Sequence, residues 1–428
     1  MRANLAGGCR SEGRGNLKTK AAVPWFLGIA ILLAGGRVFY WTYWTRTVQS
    51  PPAPLADRNS PIKWKQILPD HLTSSPVIGN DGSIYTTTWN GSIYALDRSG
   101  AVRWTYHLDP NEIPGALTRD ADGNLYFATT RRVFSLTAAG RKRWETECAP
   151  PNPFPRPAQE AALTRDLMVT TCGDHFAALD LTEGRELWKV PYPSFQYNAT
   201  PVALKSGAIV LSLDSRLVAV DRNGNPLWNF PPPKYILPSP RPGLSLDQMD
   251  FTSAIAVGSD DSLYLGSGDG EFSCFSPQGT LNWTYNAGPL RGIFFTASPV
   301  ITSDGTIVAI STEASLYTFS SNGELLWSLP VGAPAKSLVQ PSPLLGSDGT
   351  IYVLVAGKLV AFSAVGTKLW ELPLPSDAVT SPALAPDGTL YIATADKTLY
   401  AMQTTSKELM NSPWPKYQRD LWNSGSSF

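Results

Sequence analysis

"SPVIGNDGSIYTTTWNGSIYALDRSGAVRW" occupies residues 75–104, and its layout returns along the chain. "SPVITSDGTIVAISTEASLYTFSSNGELLW" (298–327), "SPLLGSDGTIYVLVAGKLVAFSAVGTKLW" (342–370) and "SPALAPDGTLYIATADKTLYAMQTTSKELM" (381–410) are clear copies. Weaker copies end at Trp144, Trp188, Trp228 and Trp283, which makes eight units. Trp64, Trp104, Trp144, Trp188, Trp228, Trp283, Trp327 and Trp370 stand 40, 40, 44, 40, 55, 44 and 43 residues apart. A period in this range marks a repeat architecture in which each unit covers its neighbour.

Each unit reads as four short strands. In the first, "SPVI" leads through an Asn-Asp-Gly turn into "SIYTTT", then "WNG", "SIYALD", "RSG" and "AVRWTY". Asp-Gly and Asn-Gly pairs between β-prone runs are strong hairpin signals. The Asp-Gly pair recurs at 122–123, 304–305, 348–349 and 387–388. "AIVLSL" (208–213) and "IYVLVA" (351–356) are apolar at almost every position. A sheet of such strands needs both faces covered. Four-stranded antiparallel blades set around an axis meet that need. The expected fold is an all-β, eight-bladed β-propeller over residues 62–428.

The last unit ends in Met410 where the others end in tryptophan. Its fourth strand is poor, while "PIKWKQI" (61–67) carries a tryptophan with no blade before it. An open ring would leave unpaired strand edges. Residues 62–67 are therefore expected to complete the blade begun at 381–404, with Trp64 in the place of Met410. The eight tryptophans are read as structural, docking blade on blade. Each would bury ~150–250 Å².

Trp-Asp dipeptides are absent and Gly-Gly occurs only at 7–8 and 35–36, against WD40 and kelch repeats. "ALDRSGAVRW" (95–104), "ALDLTEGRELW" (178–188) and "AVDRNGNPLW" (219–228) resemble the tryptophan-docking repeat of PQQ-like β-propellers. "WPKYQRDLWNSG" (414–425) resembles a segment that ends such proteins. The resemblance covers 62–425 and implies the fold rather than one function. Quinoprotein dehydrogenases of this family typically carry an adjacent cysteine pair, a calcium site and longer chains. Here the cysteines are Cys9, Cys148, Cys172 and Cys274, none adjacent. PQQ and calcium are therefore not expected. The chain also resembles the propeller lipoproteins of the outer-membrane β-barrel assembly machinery, which have eight such blades and no cofactor. Its anchor differs from theirs.

Residues 1–20 carry five Arg or Lys and one Glu, hence +4, and the remaining 408 residues carry −4. No basic stripe is left for nucleic acid. "AAVPWFLGIAILLAGG" (21–36) and "VFYWTYW" (38–44), joined by Arg37, are long enough for one membrane-spanning helix. The basic residues before it predict that the bulk lies outside the cytoplasm, on the periplasmic side of a bacterial inner membrane. Cleavage after Gly36, with secretion, is the competing reading. An uncleaved signal-anchor is preferred because the aromatic cluster continues the apolar run. The organisation is then a basic cytoplasmic stretch (1–20), the anchor (21–44), a Pro-rich linker (45–61) and the propeller.

No catalytic or metal constellation is expected. His71, His107 and His175 have no metal-like partner two to four residues on, and are read as solvated loop histidines. "TRDADGN" (118–124) alternates acids like a calcium loop but is better read as a turn. Cys148 and Cys172 could pair, but idle thiols are the expectation. Partner binding is assigned to the face holding the links between blades. Its long links are "APPNPFPRPAQE" (149–160) and "FPPPKYILPSPRPGLSLDQMD" (230–250). Tyr235, Arg241, Arg291 and Phe294 are its expected anchors. The function expected is a non-catalytic scaffold for protein partners, with envelope assembly as one setting. The alternatives are a PQQ-dependent dehydrogenase and a ligand-binding sensor ectodomain.

Overall fold

The computed structural model describes residues 61–148, 160–191, 200–213, 216–230, 253–267, 270–287, 295–333 and 340–427. The predicted membrane segment 21–44 and nearly all of the linker lie outside these residues. Among those described, no helix is long and apolar enough to cross a membrane.

The described residues form eight four-stranded antiparallel sheets. Seven blades are built of consecutive strands. Blade 1 (77–107) has its inner strand at Val77–Ile78, then Ile84–Thr88 and Ser92–Leu96, with the outer strand at Val102–His107. Blades 2 (118–147), 3 (161–191), 4 (201–230), 5 (256–286), 6 (300–330) and 7 (344–373) repeat that order. The glycines of the Asp-Gly pairs take φ between 78° and 91°, where a side chain would be strained. The second and third strands of blade 1 are buried at every position. Outer strands alternate between half-buried and exposed, as in Leu325–Pro330. The core therefore lies between blades, in seams that no single sheet could close.

Blade 8 joins the two ends of the chain, as expected. Its strands run in the order Ile62–Ile67, Thr398–Gln403, Thr389–Ala393, Ala383–Leu384. Trp64 pairs with Ala401 and Ile67 with Thr398, and the Gln403 amide donates to Pro61 O at 2.7 Å. Met410 is in no strand. Its amide donates to Leu345 O of blade 7, where the chain turns toward the inner strands.

The tryptophans lie on glycine turns of the following blade. Trp144 Nε1 donates to Leu181 O at 3.1 Å. A Cβ on Gly184, whose φ is +73°, would stand 2.3 Å from the Trp144 ring. Trp64, Trp104, Trp188, Trp228 and Trp283 donate likewise to Arg98 O, Ala138 O, Arg222 O, Pro277 O and Ser321 O, at 2.8–3.0 Å. Trp370 faces blade 8, whose outer strand comes from the other end of the chain, so no such turn exists there. The packing is shallower than the area estimate assumed. Trp64 and Trp144 are buried, at 4% and 7% exposure, and the other six are half-buried.

The expectation of idle thiols fails at two positions: Cys148 and Cys172 form a disulfide. Their separation of 24 residues is closed because Cys148, just past the outer strand Lys142–Glu147, lies beside Cys172 at the end of the next blade's second strand. Cys274 is free and buried.

Trp64→Ala is expected to cost about 3–5 kcal/mol, as large aromatic truncations in cores do. Trp370→Ala should cost less, since that ring is only half-buried. Urea denaturation of both variants checks the order; equal losses would contradict it.

Candidate functional site

Every inner strand runs from the link that enters its blade to the first turn within the blade, so the ring has two unlike faces. On the link face, the links after blades 1, 2, 6 and 7 start against a turn between second and third strands. Leu108 N donates to Gly91 O, Cys148 N to Arg131 O, Val331 N to Ala314 O and Leu374 N to Gly357 O. Arg132 pins the link after blade 1. It bonds Asp109 at 2.5 Å and the buried Glu112 at 2.8 Å, and lies 5.0 Å over the Phe134 ring. Trp89, on the neighbouring turn, is 46% exposed. Tyr235, Arg241, Arg291 and Phe294, the expected anchors, lie outside the described residues, as does most of both long links.

The opposite face is crossed by the carboxy-terminal tail, 408–427. Its carbonyls accept amides from the last residues of the inner strands. Leu421 O takes Ile78 N, Trp422 O takes Arg119 N, and Ser424 O takes Leu163 N. Gly425 O takes Ala203 N, Trp414 O takes Ile301 N, and Pro415 O takes Leu345 N. Asn423 Nδ2 donates to Ser75 O and Leu117 O, tying blades 1 and 2. Ser427 Oγ reaches Ala203 O of blade 4 and Asp261 of blade 5. Trp414 is fully buried. The tail thus touches blades 1 to 7 and closes one end of the central opening. A shallow cleft of about 800 Å³ remains beside it, between Ser303, Ser347 and Leu409.

Three residues before the tail-bonded Ile78, Ile301 and Leu345 stands the serine of the Ser-Pro motif: Ser75, Ser298 and Ser342. Ser298 N donates to Ser342 Oγ, Ser342 N to Ser381 Oγ, and Ser381 N to Ser75 Oγ, at 2.9–3.1 Å. The motif therefore links blades around the opening. Blade 3 has Glu160 at this position. Gln418 Nε2 of the tail donates to its carboxylate at 2.7 Å. Burial pushes the Glu160 carboxyl up from 4.5 to about 7, against the opposing pull of Gln418, Thr200 and the Lys416 charge. Lys416 is fully buried, with its three N–H bonds on Tyr417 O, Asp420 O and Asn423 Oδ1. Burial lowers it to about 8, although the Asp420 and Glu160 charges favour the ammonium.

His175 corrects the sequence reading of solvated loop histidines. It begins a strand and is buried, with Nδ1 3.0 Å from Asp174 and Nε2 3.0 Å from Glu186. His107 lies at a strand end, its Nδ1 3.0 Å from Ser92 Oγ. The Asp120 turn is self-satisfied: its carboxylate accepts from the Asn124 amide, the Asn124 side chain and the Tyr126 hydroxyl. Glu160, Lys416 and His175 were missed as site residues. Glu160 was detectable as an acid where the other units have Ser, Thr or Ala, and His175 as the last residue of Cys-Gly-Asp-His.

Eight closed blades with this repeat define a PQQ-like β-propeller whose central opening is stoppered by its own tail. Residues 42–212 and 213–423 match the model of the family described as outer membrane protein assembly factor BamB, and the chain belongs to that family. The crystal structure of BamB from Moraxella catarrhalis is similar, with a TM-score of 0.63 at 18% identity over 79% of this chain and 98% of that one. The computationally designed Ika8 protein gives 0.60 at 13% identity over 79% and 98%. Identities this low show the fold alone. Comparison with curated proteins finds no match.

Glu160 supplies a pH dependence. Its folded pKa is raised, so from about pH 4.5 to 7 the folded state holds a proton that the unfolded chain has lost. Stability then falls as pH rises through that window. Lys416 acts oppositely: above pH 8 the folded state has lost a proton that the unfolded chain keeps to about 10.5, so stability rises again. Glu160→Gln should flatten the first fall in melting temperature and leave the second limb. Parallel melting curves of the two proteins would refute this.

Proposed function

We propose that this chain is a non-catalytic, extracytoplasmic scaffold that presents its link face to protein partners in envelope assembly. Membership of the BamB family supports the setting. The observation that carries the choice of face is the asymmetry of the ring: the tail crosses one face and the links rise from the other. Links on a rigid scaffold are where binding usually resides.

In this reading 149–160 and 230–250 form the contact, with Tyr235, Arg241, Arg291 and Phe294 as anchors. Large aromatic and Arg side chains carry most binding energy at such surfaces. Trp89 adds an exposed aromatic to the same face. The repeat tryptophans act within the ring as blade-docking residues. The reading assigns no PQQ, calcium or other cofactor and no nucleic acid. Residues 21–44 hold the propeller to the membrane.

Affinity capture from detergent-solubilised membranes, with bound proteins identified by mass spectrometry, tests the reading. The full chain is expected to retain envelope-assembly proteins, and deletion of 231–250 or Arg241→Glu with Arg291→Glu should reduce their recovery at least about tenfold, the loss of one hot-spot contact. Recovery unchanged by both changes would remove the link face. Capture without any envelope-assembly protein would remove the role.

A further inference from the structure

Cys172, Gly173, Asp174 and His175 form the turn between the second and third strands of blade 3. Cys172 and His175 are cross-strand partners there. The Glu186 carboxylate joins them. Cys172 Sγ, an imidazole nitrogen of His175 and a Glu186 oxygen all lie within 4.8 Å of one another. Cys148 is bonded to Cys172 and brings a second sulfur to the same point. Cys148, Cys172 and His175 are buried, while the Glu186 side chain is 34% exposed.

Two sulfurs, one imidazole and one carboxylate make a tetrahedral zinc ligand set. Calcium needs six or more oxygens and does not suit it. Ligand atoms around zinc stand roughly 3.3–3.8 Å apart, given bonds of about 2.0–2.3 Å, so the groups need to move by only about an ångström. The outer partner is also in place. A metal-bound histidine usually donates its other ring N–H to a carboxylate. With His175 Nε2 turned to Glu186, Nδ1 is 3.0 Å from Asp174 Oδ1.

We propose that the Cys148–Cys172 disulfide and a zinc-type metal site are alternative states of one cluster. A dithiol reductant passes two electrons and two protons to the disulfide. The S–S bond breaks, two thiols form, and the reductant leaves as its own disulfide. A divalent cation then binds Cys148 and Cys172 as thiolates, each thiol releasing its proton, with His175 Nε2 and Glu186 completing the shell. The metal keeps its charge throughout. In the disulfide state no thiolate exists, so only imidazole and carboxylate remain and binding is weak. Cys148 follows directly on the outer strand Lys142–Glu147 of blade 2, so the exchange alters how that strand end is tied to blade 3.

The full chain carrying Cys9→Ser and Cys274→Ser is reduced with a phosphine and titrated with Co²⁺ without oxygen. The reduced protein is expected to develop thiolate-to-cobalt charge-transfer and tetrahedral d–d bands saturating at about one equivalent, reversed by Zn²⁺. The oxidised protein should give no thiolate band. His175→Gln and Glu186→Gln should each weaken binding at least about tenfold, and Asp174→Asn by about tenfold or less. Zn²⁺ should also raise the melting temperature of the reduced chain and leave that of the oxidised chain unchanged. Absent bands in the reduced protein, or bands indifferent to both His175→Gln and Glu186→Gln, overturn the proposal. If either variant fails to fold, a zinc-independent melting temperature of the reduced chain overturns it equally.

Discussion

The seam between neighbouring blades is the contact on which the molecule depends. Each sheet is apolar on both faces, so no blade is stable with a face bare. At six of the eight seams a tryptophan on one outer strand meets a glycine turn on the next, joined by an indole N–H to a carbonyl. At Trp144 and Gly184 the two are so close that a single methyl group would collide. Nearer the axis the Ser-Pro serines make the same junction with backbone amides. The indoles thus fasten the rim from blade 8 round to blade 6, and the serines fasten the opening from blade 6 round to blade 1.

Much of this was legible because repetition amplifies weak signals. One Asp-Gly pair is only a turn, but five at like positions define a unit. The missing tryptophan at Met410 and the spare one at Trp64 located the closure. What stayed hidden was what the repeat does not encode. The tail, 408–427, uses main-chain carbonyls and small polar side chains, so its sequence has no periodicity to read. Glu160 acquires its character only when a segment more than 250 residues away is laid on it. Cys148 and Cys172 belong to different blades, and their spacing says nothing until the link geometry is known. The tryptophan packing was overestimated because outer strands border solvent, which a spacing argument cannot see.

The tail divides the labour of the two faces. Lys416 anchors it internally by folding its ammonium back on Tyr417, Asp420 and Asn423. Its carbonyls then serve inner strands whose amides would otherwise point into the opening. Burying an unpaired amide is costly, so the tail acts as a hub that satisfies one amide in each of six blades. Among the described residues, no such hub crosses the link face. Its links are held one by one, by Arg132 after blade 1 and by the disulfide after blade 2.

Closure by the first strand also sets a timetable for biogenesis. Residues 62–67 emerge from the ribosome early, yet their pairing partner ends at Gln403. Until that partner is made, residues 62–67 carry a bare β-edge, the feature most open to mispairing. Only when the last blade is delivered does the circle shut, so nascent chains cut short anywhere upstream are left open. Cooperative folding of the whole, rather than blade-by-blade maturation, follows from the pairing of Ile62–Ile67 with Thr398–Gln403.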